Sequence, residues 1–236
     1  GELAEATPGI PQPPLQRRQR RRPIGGHHAG SAADATGKSL DLIIPERLRG
    51  ISDRALEDPK LVVRTVEVRD FKNEMERIKK IYAEAWSENW GAVPLTDEEF
   101  DRIVGEFRLI YDRDLFFIAE YDGEPAGMSL VLPDMNQALK KAGGRLFPLG
   151  LLKMLWYKRK INAWRMPILG VRQEHRLRGI EVVFCCRTYD AAKKKRNYRK
   201  GEMSWVLESN TAANALLKRL GARRSKTYRI YEKSLV

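Results

Sequence analysis

Val171-Arg172-Gln173-Glu174-His175-Arg176-Leu177-Arg178-Gly179-Ile180-Glu181 is the stretch whose reading decides the fold. Ahead of it, Met166 to Val171 is apolar and suited to a strand; behind it, residues 179–196 carry a helical pattern. A strand that feeds a basic, glycine-containing turn at the start of a helix is an anion site. The first helical N–H groups lack partners inside the helix, and the aligned peptide dipoles leave partial positive charge there. Gly179 keeps a Cβ out of the path of a phosphate. Arg172, Arg176 and Arg178 add fixed charge.

Outward from this turn the chain alternates strands and helices. Leu61 to Val68 ends in apolar/polar alternation and reads as a strand. Residues 70–86 place Phe71, Met75, Ile78, Ile81, Tyr82 and Ala85 at helical spacing. A loop with two indoles follows at Trp86–Gly91, and Thr96-Asp97-Glu98-Glu99 is a capping box that starts a helix over 97–111. Leu115 to Tyr121 and Pro125 to Leu132 flank Asp122-Gly123, the signature of a β-hairpin. Met203 to Leu207 reads as a further strand, residues 211–220 as a helix stopped by Gly221, and Tyr228 to Tyr231 as part of a last strand. The expected architecture is α/β: a mixed, mostly antiparallel sheet flanked by helices.

Two motifs now stand in order, and their order, spacing and strand–helix settings resemble one family. Arg176-x-x-Gly179 between a strand and a helix is similar to the Q/R-x-x-G-x-G/A signature of the GNAT (Gcn5-related) acyltransferases. Asn210-x-x-Ala213, opening the next helix, is similar to that family's second motif. The segments Ala85–Gly91, Leu132–Leu139 and Tyr228–Lys233 resemble the C-terminal domain of a bacterial GNAT-like family that includes the bacterial ceramide synthases. The resemblance spans residues 61–233. It implies an N-acyltransferase that takes an acyl group from a coenzyme A thioester, acetyl-CoA or a longer acyl-CoA, or from an acyl carrier. The acceptor it implies is an amine, long-chain or amphipathic in the narrower family.

Carried onto this sequence, the resemblance assigns the thioester to Leu169, Gly170, Val171, Arg176, Leu177, Arg178, Gly179, Ile180 and Asn210. An oxyanion donor is expected among the backbone N–H groups of Leu169–Val171. Amine attack also needs a base. Glu208, just past the Met203–Leu207 strand, is the first choice, against a plain acid near a helix N-terminus; Asp134 is the second, against a helix cap. Trp86, Asn89 and Trp90 would line the acceptor side, against two tryptophans packed in a core. Leu217 stands where many members have the tyrosine that protonates the departing thiolate, and Glu181 where the general family has Gly or Ala. Tyr189, Tyr228 and Tyr231 are other phenols that could serve as donors.

The composition bounds the rest. The chain has 236 residues, 42% of them hydrophobic, enough for a core, and a net charge of +13 that calls for an anionic partner. Residues 1–40, with Arg17–Arg22 and four prolines between Pro11 and Pro23, lack the large apolar residues to offset ordering and read as a disordered tail; 41–60 read as a lead-in and 61–236 as the catalytic domain. The adjacent Cys185 and Cys186 suit a reducing, cytoplasmic setting and a buried helix face. His27-His28 has no companion ligands, so no metal site is expected. No apolar run reaches the roughly 20 residues that cross a bilayer. Residues 146–160 join an apolar body to Lys158-Arg159-Lys160, as an interfacial helix at the inner membrane face, the wall of an acyl tunnel, or a core helix with a basic end. The rival to the enzyme is a non-catalytic protein of the same fold that binds anionic lipid or nucleic acid. Leu217, Glu181 and the low-complexity stretch where that family has a further domain favour the rival. The intact turn and Glu208 favour the enzyme.

Overall fold

The computed structural model describes residues 31–36, 44–86, 95–107, 110–143, 149–195 and 197–228. The strands Ser31–Thr36 (β1), Leu61–Thr65 (β2), Phe116–Tyr121 (β3), Glu124–Pro133 (β4), Ala163–Val171 (β5), Lys200–Val206 (β6) and Arg223–Thr227 (β7) form one sheet in the order β2-β3-β4-β5-β6-β1-β7. Every neighbouring pair is antiparallel except β5 and β6, which run parallel. The helices are Glu46–Leu56 (α1), Phe71–Ala85 (α2), Asp97–Phe107 (α3), Met135–Lys141 (α4), Gly150–Lys158 (α5), Ile180–Lys194 (α6) and Thr211–Arg219 (α7). This is the α/β mixed sheet expected from the sequence.

The β3–β4 hairpin closes through Asp122 and Gly123, at φ 54° and 83°, the left-handed pair whose twist matches antiparallel strands. β4 is buried along nearly its whole length because helices cover both of its faces. α2 packs Ile81, Ile78 and Met75 against Ile118 and Met128 on one face. α6 packs Ile180, Val183 and Phe184, all fully buried, on the other, each such side chain contributing roughly 1.5–3 kcal/mol. Fully buried Glu74 on α2 accepts from Arg64 at 2.8 Å and Arg77 at 3.1 Å, and Arg64 also reaches Glu120 at 2.6 Å. These contacts fix α2, and with it the position of Trp86. α1 lies across α6, tied by a two-pronged Arg49–Asp190 pair at 2.7 and 2.9 Å.

Three boundaries differ from the sequence reading. Ser31–Thr36, placed in the tail, forms β1 between β6 and β7. A strand laddered on both edges is held through its backbone and needs no large side chains, so hydrophobicity gave no sign of it. Among the described residues the last strand is Arg223–Thr227, ahead of the expected Tyr228–Tyr231, of which Tyr228 lies outside the strand and 229–231 lie outside the described residues. All five of its residues are exposed, so it lacks the alternation that marks a half-buried strand. The helix expected over 97–111 is described over Asp97–Phe107, and Tyr111 falls outside it. The lead-in supplies α1, and residues 1–30, with the arginine run and His27-His28, lie outside the described residues.

Candidate active site

The site begins where two central strands part. β5 and β6 pair from Ala163↔Lys200 to Met166↔Met203, and no pair follows although β5 runs on to Val171 and β6 to Val206. Pro167 is one cause, since it has no N–H to give to either neighbour. A β-bulge is the other. Ile168 faces Leu130 and Arg165 faces Leu132, so three steps on β5 match two on β4. Past Met166, β5 presents backbone on its β6 side with no strand opposite it, a template for an extended ligand.

The opening is lined by Met166, Leu169, Met203, Trp205, Leu207 and Leu217 among others, with Trp86 and Asn210 at its borders. Trp86 also borders a second space, an apolar cavity of about 320 Å³ between α2, α3 and the sheet, lined by residues such as Phe71, Met75, Tyr82, Phe100 and Ile168. Ile168 and Leu169 alternate, one facing the cavity and the other the opening. Gly170 leaves its side-chain space to the indole of Trp86. That indole stacks on Tyr82 at 5.2 Å between ring centres.

The basic turn follows the free end of β5. Gly179 is the N-cap of α6 at φ 81°, and Leu177 sits at φ 68°, fully exposed. Gly179 is required for a reason other than phosphate access. A Cβ there would lie 3.2 Å from Ile51 and 3.3 Å from Ala55 of α1, in a backbone conformation that L residues rarely adopt. Arg172 contributes no free charge to the turn. It is buried, donates to Glu84 at 2.6 Å and to the Pro125 carbonyl at 2.7 Å, and pairs with Glu174 at 2.9 Å. Arg176 and Arg178 are exposed. Arg178 donates to the Tyr121 hydroxyl at 3.0 Å and lies 4.1 Å over its ring, and Arg176 reaches the Ala85 carbonyl at 3.5 Å. Ile180 is buried beneath them.

Glu181, in the first turn of α6, is half-buried, and burial raises its pKa; its carboxylate accepts from its own N–H, and Arg176 opposes the rise. The acid therefore engages one of the donors that make the helix start an anion site. Asn210 caps α7 by accepting from the Ala213 N–H at 3.0 Å. Asn214, not singled out from the sequence, donates to the Leu207 carbonyl at 2.9 Å and the Asn210 carbonyl at 2.8 Å and so shapes the turn that holds Glu208. Glu208 is exposed on that turn, next to Leu207 of the opening. Asp134 sits at the start of α4, accepting from Asn136 at 3.0 Å and Gln137 at 3.4 Å. It is grouped with the β4–α4 junction and not with the opening.

The structure thus brings Trp86, Leu169 and Asn210 to one opening, with Val171 and the Arg176–Ile180 turn continuing from β5. Asn89, Trp90 and Tyr231 lie outside the described residues. Tyr189 packs beneath Arg49 on the α1 side, whereas Tyr228 stacks on Trp205 of the opening. Leu217 is buried at the opening and has no proton to give. Pro167 was the available sign of the split: a proline inside an otherwise central strand. The Phe71–Tyr82 stripe reads equally as core, and nothing in its spacing separates a filled core from a lined cavity. Cys185 and Cys186 are both buried on α6, where burial pushes the Cys185 thiol up to about 12. Among the described residues no helix is long and apolar enough to cross a membrane.

No family model matches the chain. It is 33% identical over 200 residues to protein YghO of Escherichia coli, covering 83% of this chain and 51% of that protein. It is 32% identical over 209 residues to a bacterial ceramide synthase of Caulobacter vibrioides, covering 86% of this chain and 53% of that protein. The chain thus spans about half the length of the curated relatives it matches. Among solved structures it is similar to a GCN5-related N-acetyltransferase from Sphaerobacter thermophilus, with a TM-score of 0.56, 17% identity, and coverage of 86% of this chain and 50% of that one.

Proposed function

We propose, for a chain that carries the GCN5-related N-acetyltransferase fold and is 32% identical to about half of a bacterial ceramide synthase, that it transfers an acyl group from a coenzyme A thioester to an amine with a long apolar part. The observation that carries this reading is the split of β5 from β6 at Met166–Pro167, which leaves an opening that shares Trp86 with the apolar cavity and lies on the strand leading into the Arg176–Gly179 turn.

The residues present fit the donor. Arg176, Arg178 and the positive dipole end of α6 would hold the pyrophosphate, and the unpaired side of Leu169–Val171 would hold the extended arm by strand-like hydrogen bonds. Bound there, the thioester supplies an activated acyl carbonyl. The backbone N–H groups of Leu169–Val171 supply donors for the charge that develops on the carbonyl oxygen, fixed in place before reaction. Glu208, beside the opening, takes the proton from the amine as the new C–N bond forms, and the C–S bond breaks with coenzyme A leaving as its thiolate, which a thiol of pKa about 8.5 can do without a donor at Leu217. Trp86 separates the two spaces and sets how far an acceptor reaches. The cavity, at the lower end of ligand-pocket volumes, would take hydrocarbon and exclude water.

Leu217 favours the rival reading, a protein that binds without transferring. Titration with coenzyme A, followed by mass spectrometry of a reaction with long-chain acyl-CoA and a long-chain amine, separates the two. The expected result is one-site binding, about 2.7 kcal/mol of stabilisation at 100 times Kd, and an amide product. Binding without amide at any chain length supports the rival; no binding removes the donor assignment.

A further inference from the structure

The residues from Asp134 to Glu174 include no acid between these two, yet hold Lys140, Lys141, Lys153, Lys158, Arg159 and Lys160. Within this stretch α4 packs against α5. α5 turns Met154 and Tyr157 toward the core and the other way exposes Leu151, Leu152, Leu155 and Trp156 at 49–64%, with Leu149 just ahead at 60%. Four large apolar side chains on the outward face of a nine-residue helix are the reverse of a solvated surface. The basic residues flank this face: Lys153 is exposed within the helix, and Lys160 lies 3.8 Å over the Trp156 ring. Asp112 and Asp114, in the same cleft as Lys158 and Arg159, accept from Lys195 at 3.1 and 2.6 Å.

We propose that α5 is an in-plane anchor for an anionic phospholipid bilayer, its leucines and Trp156 seated at the acyl boundary and Lys140, Lys141, Lys153, Lys158, Arg159 and Lys160 among the headgroups. The combination selects this occupant. A protein partner would match the apolar face but has no need of a flank of one sign, and a nucleic acid would match the flank but not the leucines. A bilayer with anionic headgroups matches both, and tryptophan with lysine is the pair that settles at a membrane interface. The docking stands apart from the catalytic reading. Its use rests on that reading: Leu155 borders a surface cleft shared with Tyr111, and Tyr111 also lines the apolar cavity, so an anchored α5 places the route to the cavity beside the lipid.

The test is co-sedimentation of the full chain, without substrate, with vesicles of phosphatidylcholine alone and with added phosphatidylglycerol. Two double variants, Leu152→Ser with Trp156→Ser and Leu151→Ser with Leu155→Ser, are compared; the substituted side chains are exposed, and an unchanged melting curve checks the fold. The expected result is partition into the phosphatidylglycerol vesicles that falls about tenfold or more in each variant, the weight of one or two leucyl side chains withdrawn from lipid. Failure of the wild type to bind overturns the proposal. So does binding that survives both variants and responds only to salt, because the basic surface alone then suffices. Loss in the variants of a dimer seen by sedimentation, without vesicle binding, assigns the face to a second copy instead. Since no thioester or amine is present, none of these outcomes touches the transferase reading.

Discussion

The indole of Trp86 occupies the space that a side chain at Gly170 would fill, so the end of α2 and the free part of β5 are in register to within a methyl group. Gly170→Ala forces one of them to move. Overpacking of this kind costs about 1–3 kcal/mol, and the cost should largely vanish in the Trp86→Ala background. Denaturant melts of the two single variants and the double variant measure the coupling; additive losses would show that the indole is free to turn aside.

Arg172 and Arg176 are four residues apart and should behave differently. Arg176→Ala leaves stability unchanged and weakens coenzyme A binding about fivefold, the modest worth of an exposed ion pair. Arg172→Ala removes a buried guanidinium that holds Glu84 and the Pro125 carbonyl, and should lower stability by about 1.5–3 kcal/mol. Calorimetry with coenzyme A and thermal melts on both variants check the contrast, and equal binding losses would return Arg172 to the anion site.

Burial raises the pKa of Glu181 above its unfolded value. The stability linked to this carboxyl is therefore fully present below about pH 4.3 and is lost as pH rises through the folded-state pKa. Glu181→Gln should be more stable than the wild type at pH 7, with the gap closing toward pH 4, and should bind coenzyme A more tightly at pH 7. Melting temperatures at the two pH values test the first part. A gap of equal size at both would mean that charge is not the cause.

Glu208→Gln keeps the shape of the side chain and removes its basicity. If the residue takes the amine proton, the rate constant of acyl transfer falls about 10²–10⁴-fold, while coenzyme A binding and melting temperature hold. Asp134→Asn, at the start of α4 away from the opening, should leave turnover intact. Wild-type turnover in Glu208→Gln with a defect in Asp134→Asn would reverse the assignment.

The local signals determined a great deal by themselves. A strand, a basic turn with Gly179 and a helix are specified within eleven residues, because backbone donors, φ preferences and apolar spacing act over short distances. The Asp122-Gly123 turn and the stripe of α2 are legible for the same reason. What tertiary structure decided is where distant segments meet. Gly179 is needed because α1, more than a hundred residues earlier, crosses over it. Arg172 is neutralised by Glu84 from another helix, so its charge is absent from the site. β1 and β7 are held by ladder hydrogen bonds that any side chain permits, so their sequences carry no sign of them. The cavity beside Trp86 lies between α2, α3 and the sheet, a matter of packing volume between elements that no single stretch encodes.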